Sequence, residues 1–215
     1  MSTAIIDYGS GNLHSVLKAC QRAASDRGGG PLKLVSRADE VAGAGRIILP
    51  GVGAFGHCMA ALAGLPGMID ALGEAVLGRG IPFLGICVGM QLLAGRGLEG
   101  GDHAGLGWID GRVVPLSPAD KALKVPHMGW NSLFPTAGGR SHPVTAAVDP
   151  GEDLYFIHGY RFVAAADDTV LATADYGGPV VAAVGRDNIL GVQFHPEKSQ
   201  AAGLRLLRAF LAWKP

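Results

Sequence analysis

Residues 85–89 read Gly85-Ile86-Cys87-Val88-Gly89, and the apolar run Pro82-Phe83-Leu84-Gly85-Ile86 leads directly into the cysteine. Such a run fits a buried strand, and Gly89-Met90-Gln91-Leu92-Leu93-Ala94 fits a helix. A strand that stops at a nucleophile and opens at once into a helix needs a turn so tight that flanking side chains would collide. Glycines on either side of the thiol meet that need. The pattern confines the chain to α/β architectures with Cys87 at the carboxyl edge of a sheet and the amino end of a helix. The partial positive charge of that helix end favours thiolate over thiol.

A thiol used in this way needs a base. Ile189-Leu190-Gly191-Val192-Gln193-Phe194 reads as a strand entering His195-Pro196-Glu197. Alternate residues of an extended chain share a side, so His195 and Glu197 can lie together with Pro196 fixing the backbone between them. The carboxylate can hold one imidazole nitrogen while the other faces the thiol. An isolated His-Pro-Glu would be a surface or capping histidine. Here the strand before it and the helix after it put it beside the elbow. Cys20 and Cys58 read as packing thiols, and none of His14, His57, His103, His127, His142 and His158 shows metal-ligand spacing. No metal and no cofactor is expected.

The strand Arg46-Ile47-Ile48-Leu49 is followed by Pro50-Gly51-Val52-Gly53-Ala54-Phe55-Gly56. Acyl transfer builds negative charge on a carbonyl oxygen, and a glycine-rich loop can bring backbone N–H groups to it. A phosphate-binding loop is the competing reading. The chain lacks both Gly-x-x-x-x-Gly-Lys-Ser/Thr and a Gly-x-Gly-x-x-Gly after a strand.

Strands at 4–7, 32–35, 47–49 and 82–86 alternate with helical segments at 13–24, 58–65 and 69–77, which implies a parallel sheet covered on both faces. Arg27-Gly28-Gly29-Gly30 reads as a flexible connection. From Gly111 onward short strands dominate (112–116, 154–157, 170–174, 180–184, 189–194), read as hairpins extending the sheet in mixed sense. A final helix spans about 199–213, with Leu204, Leu207 and Leu211 on a core-facing stripe. The expected fold is α/β: an open, mixed, mostly parallel sheet with helices on both faces, as one domain over 1–215. The catalytic pieces fall at carboxyl ends of strands, where open α/β sheets bind ligands.

Charges balance at 18 Lys+Arg and 18 Asp+Glu. No basic stripe points to nucleic acid, and no apolar run is long enough for a bilayer. Three cysteines and no secretory start point to a reducing, cytoplasmic setting.

Taken together, these stretches resemble the class I, triad-type glutamine amidotransferases, whose fold is flavodoxin-like. The elbow and His-Pro-Glu carry the superfamily resemblance. Asp7-Tyr8-Gly9-Ser10-Gly11-Asn12-Leu13, Val125-Pro126-His127-Met128-Gly129-Trp130-Asn131 and Tyr155-Phe156-Ile157-His158-Gly159-Tyr160 are similar to the glutaminase subunits that serve a cyclase in histidine biosynthesis. The resemblance implies Cys87 as nucleophile, His195 as base and acid, and Glu197 as its orienter. It implies Gly51, Val52 and Gly53, with Val88, as the oxyanion site, whose peptide flips to become competent. Gln91 and Glu99 would hold the amino-acid end of glutamine, and His158-Gly159-Tyr160 would offer backbone groups to its carboxylate. Asn12, His127, Trp130, Asn131 and Lys198 would face a partner. That partner would be a cyclase subunit of (β/α)8 fold, forming a heterodimer and receiving ammonia. Gly159 stands where the family often has serine or threonine, and the stretch 94–99 is glycine-richer than usual. The rival readings are the glutaminase subunit of pyridoxal phosphate synthase, a cysteine hydrolase or peptidase on the same scaffold, and a non-enzymatic binding protein that keeps the fold.

Overall fold

A computed structural model describes residues 2–25 and 30–215. The connection expected at 27–30 therefore lies outside the described residues, apart from Gly30. The first half alternates strand and helix: β1 (Ser2–Ile6), α1 (Leu13–Ala24), β2 (Leu32–Val35), α2 (Ala38–Val41), β3 (Ala44–Gly51), α3 (Phe55–Ala63), α4 (Met68–Gly73), a π-helical turn at Glu74–Gly78, β4 (Phe83–Cys87) and α5 (Val88–Gln91). The second half is strand-rich: β5 (Arg96–Gly97), β6 (His103–Ala104), β7 (Gly111–Pro115), β8 (His127–Pro135), α6 (Ala137–Ser141), β9 (Glu152–His158), β10 (Tyr160–Ala164), β11 (Val170–Asp175), β12 (Pro179–Arg186), β13 (Ile189–Val192) and α7 (Gln200–Ala212).

Nine strands form one open sheet in the order β2-β1-β3-β4-β13-β12-β11-β8-β9. The first five are mutually parallel, and the remaining pairings are antiparallel. In the parallel part consecutive residues are buried: Ile5 and Ile6, Ile47 to Leu49, Phe83 and Leu84. Successive side chains of a strand point to opposite faces, so this run requires cover on both. Helices α1 and α7 pack on each other, while α4 packs against α2 and α3. On α1 the buried residues are Val16, Cys20 and Ala23, an apolar stripe at helical spacing.

Two expectations change. Strand β7 does not extend the main sheet. It pairs with β10 in a separate four-stranded sheet of order β10-β7-β5-β6, because the chain leaves the main sheet after β9, runs as β10 alongside β7, and rejoins the main sheet at β11. Segment 69–77 is not one α-helix: it changes from α to π at Glu74.

The topology decides where the chemistry sits. Strands β3, β4 and β13 are adjacent and parallel, with β4 in the middle. Their carboxyl ends therefore share one edge. The Gly51–Gly53 loop, Cys87 and the chain leading to His195 all leave the sheet there.

Candidate active site

The elbow is as tight as its glycines imply. Cys87 has φ 55° and ψ −110°, a backbone conformation that costs a side-chain-bearing residue about 1–3 kcal/mol. The fit leaves no alternative to glycine around it. A Cβ on Gly89 would lie 1.9 Å from the Leu49 carbonyl oxygen, and one on Gly85 would lie 2.4 Å from that of Gly89. Cys87 is 4 % exposed and ends β4.

His195 follows β13 in extended conformation, and its Nδ1 lies 2.8 Å from Glu197 Oε1. The two side chains are only 2 % and 1 % exposed. A buried carboxylate without a partner would cost several kcal/mol, so the pair is mutually dependent. Burial alone would lower the His195 pKa. The neighbouring Cys87 and the hydrogen-bonded Glu197, with their charges, outweigh it and raise the pKa to about 10. The ring is thus an imidazolium at neutral pH, the state that holds a thiolate and can protonate a leaving amine. Its Nε2 is buried with no hydrogen-bond partner among the described residues.

The glycine loop abuts the elbow. Gly51 pairs with Cys87 across β3 and β4, and a Cβ on Gly51 would lie 2.8 Å from Gly89 N and 2.9 Å from Val88 Cβ. Two side chains tether the loop from behind. Tyr8 donates its hydroxyl proton to the Pro50 carbonyl at 2.8 Å, and the Cys58 thiol donates to the Val52 carbonyl at 3.4 Å. Gly53 has φ 107°, open to glycine at little cost. Cys58, expected only to pack, is therefore also a loop tether, and a thiol five residues past the loop was the available signal.

These parts line one cleft of about 290 Å3, the small end of the range for small-molecule sites. Val52, Gly53, Cys87, Val88, Gln91, Glu99, His158, Gly159, Tyr160, His195 and Lys198 border it, with Pro126 and Ile157. Glu99 is fixed there because its Oε2 accepts the Phe55 N–H at 2.7 Å, capping α3 in trans. A carboxylate has lone pairs to spare after one bond, so it keeps capacity for a ligand ammonium. Gln91 is 3 % exposed and donates to the Tyr160 carbonyl at 3.3 Å and to Gln193 Oε1 at 3.0 Å. Gly159 gives its carbonyl to Leu116 N at 2.9 Å. A Cβ there would meet only Val125 and Pro126 side chains, at 3.9 and 4.0 Å, so the glycine is not sterically required.

The residues expected at a partner surface divide. Trp130 is 48 % exposed on β8, flanked by exposed Met128 and Phe134. Asn12 is half-buried at the start of α1, and Lys198 is exposed beside the cleft with Nζ 5.5 Å from the Tyr155 ring. His127 is the exception. It is 2 % exposed, stacked between Phe156 and Tyr176 with centroids at 4.9 and 3.9 Å, and cannot itself present a surface. Its Nδ1 lies 3.0 Å from His158 Nε2, and Asn131 Nδ2 lies 3.2 Å from its Nε2. Burial, and the charge of a histidine neighbour, hold His127 and His158 near pKa 4, although the His158 bond to the Tyr160 carbonyl opposes the shift.

A positively twisted elbow carrying a thiol, a carboxylate-held imidazolium and an adjoining glycine loop define a cysteine acyl-transfer site on an open α/β sheet. The chain belongs to the class-I glutamine amidotransferases, whose family model matches residues 4–212. Among its relatives, "Imidazole glycerol phosphate synthase subunit HisH" of Rhodospirillum rubrum is 57 % identical over 216 residues, covering 100 % of both chains. The protein of the same name from Cereibacter sphaeroides is 52 % identical, again over 100 % of both. The fold is shared with a chain of PurLQS from Thermotoga maritima at TM-score 0.72 and 21 % identity, covering 98 % of this chain and 97 % of that one. No single helix among the described residues is long and apolar enough to cross a membrane.

Proposed function

We propose that this chain, as one amidotransferase domain over 1–215, is the glutaminase subunit of imidazole glycerol phosphate synthase in histidine biosynthesis. The observation that carries the chemistry is the convergence of Cys87, the His195–Glu197 pair and the Gly51–Gly53 loop at the carboxyl ends of three adjacent parallel strands. The relatives' name supports the partner and the pathway.

The Cys87 thiolate attacks the side-chain carboxamide carbon of glutamine, forming a C–S bond. Negative charge moves to the carbonyl oxygen, where N–H groups of the Gly51–Gly53 loop and Val88 receive it. The intermediate collapses, the C–N bond breaks, and His195 gives its proton so that nitrogen departs as ammonia. A γ-glutamyl thioester remains on Cys87. Water then gives a proton to His195 and attacks the thioester carbon. The C–S bond breaks, glutamate leaves and the thiolate returns. Glu197 holds the ring orientation and offsets its charge throughout. Gln91 and Glu99 receive the amino-acid end of the substrate, with backbone groups of 158–160 at its carboxylate.

Ammonia in water takes up a proton and stops being a nucleophile, so a synthase must pass it on in shelter. We assign that task to a heterodimer with a cyclase subunit of (β/α)8 fold in the cytoplasm. Trp130 with Asn131, Asn12 and Lys198 would meet it, and His127 supports β8 from inside. Glutaminase turnover measured alone, then with cyclase, then with cyclase and its substrate, tests this. Turnover rising in that order is expected; equal turnover in all three overturns the coupling.

A further inference from the structure

One group at the reacting sulfur has no part in the mechanism above. Gln193 is fully buried, and its Nε2 lies 3.7 Å from Cys87 Sγ. It sits two residues before His195, so the chain that brings the base also brings this amide. Which of its ends meets the sulfur follows from a backbone carbonyl, since a carbonyl can only accept. The Gln91 atom 3.3 Å from the Tyr160 oxygen must be Nε2. That nitrogen also lies 3.0 Å from Gln193, so the Gln193 atom there must be Oε1. Only the Gln193 amide nitrogen is then left for the sulfur.

The same carbonyl fixes the other branch. His158 Nδ1 donates to Tyr160 O at 2.8 Å, so its Nε2 accepts from His127 Nδ1, and His127 Nε2 accepts from Asn131. No amide or ring in this network can flip without setting two donors or two acceptors against each other. The buried Gln193 N–H is therefore locked onto Cys87.

We propose that Gln193 is a positioning residue that stabilises Cys87 as thiolate through this N–H while holding Gln91 with only its oxygen left for substrate. A donor at sulfur favours the charged form. A second polar contact at Sγ is the Ile157 carbonyl, 3.9 Å away, which can accept from a thiol and opposes a thiolate. The ionisable groups around the sulfur are His195 from the β13 side, Tyr8 and Cys58 behind the glycine loop, and Glu99, His158 and Lys198 on the cleft wall. Gln193 is the neutral donor among them. Gln91, with both N–H groups spent inside the protein, can only accept, which suits an ammonium or an amide N–H.

The inference rests on Cys87 being the nucleophile proposed above, and the test separates the two. The rate of iodoacetamide alkylation of Cys87 is followed against pH in the full chain, with mass spectrometry distinguishing it from Cys20 and Cys58. In Gln193→Met, similar in shape and lacking the donor, the alkylation midpoint should rise by about one pH unit, the effect of one hydrogen bond to a charged group. In Gln91→Met, which keeps the Gln193 amide at the sulfur but removes the contact that locks its orientation, the midpoint should rise by less than in Gln193→Met while KM for glutamine rises. Gln193→Glu, which keeps an acceptor for Gln91 and presents a carboxyl to the sulfur, serves if the first variant fails to fold, and should raise the midpoint further. Midpoints of folded Gln193 variants that coincide with the parent overturn this inference alone. Glutamine hydrolysis surviving in Cys87→Ala overturns the proposed nucleophile instead.

Discussion

His195 Nδ1 and Glu197 Oε1 lie 2.8 Å apart, both side chains almost wholly withdrawn from water. The carboxylate is therefore the balancing charge for the imidazolium that the proposed mechanism uses, and not merely a rotamer lock. Glu197→Gln keeps the shape and removes the charge. Glutaminase kcat should fall by about two to four orders of magnitude with KM little changed. Steady-state kinetics of the holo-assembly check this.

The histidines titrate in opposite directions, and stability should follow. His127 and His158 stay neutral down to about pH 4, whereas unfolded histidine takes up protons near 6.5. The unfolded chain thus binds more protons between those values, and stability is lost as pH falls from 6.5 towards 4. His195 holds its proton up to about 10. Its contribution is fully present below 6.5 and lost as pH rises through 10. Urea unfolding across this range, with histidine titrations by NMR, measures both limbs. A His158 titration near 6.5 would contradict the buried pairing.

The elbow should tolerate no side chain on its inner glycines. Gly89→Ala places a methyl 1.9 Å from a backbone oxygen that no rotamer change can move, and should cost about 3 kcal/mol or more. Gly159→Ala meets only ordinary contacts and should change stability by less than about 1 kcal/mol. Thermal unfolding of the two variants compares them directly.

Trp130 is an exposed aromatic on one face of β8, in a row with Met128 and Phe134. If β8 meets the cyclase, Trp130→Ala should weaken the heterodimer by about 2 kcal/mol, roughly thirtyfold in Kd, while leaving the fold intact. Titration calorimetry and circular dichroism together check both halves.

Much of this fold and site was legible because its signals are local. Apolar runs bounded by glycine and proline mark β1 to β4, and the Gly-x-Cys-x-Gly turn fixes where β4 must end. His195 and Glu197 were legible as a pair because extended chain repeats every two residues. Strand β8 was not, because its alternation is inverted. His127, Asn131 and Leu133 alternate inward while Met128, Trp130 and Phe134 face out, so the stretch reads as a turn with a packing tryptophan. Strands β5 and β6 are two residues each, too short for any periodicity. The role of Gln193 was hidden because a glutamine just past an apolar strand carries no motif. Only its two-residue offset from His195 hints that both face the same sulfur.

The most direct measurement is the search for a γ-glutamyl adduct on the Cys87 peptide, by rapid acid quench of the chain turning over glutamine with its cyclase and by mass spectrometry. A single glutamyl unit on Cys87, absent in Cys87→Ala together with hydrolysis, is the expected result. Undiminished hydrolysis in that variant, with no adduct on the parent, would contradict a covalent role for this sulfur.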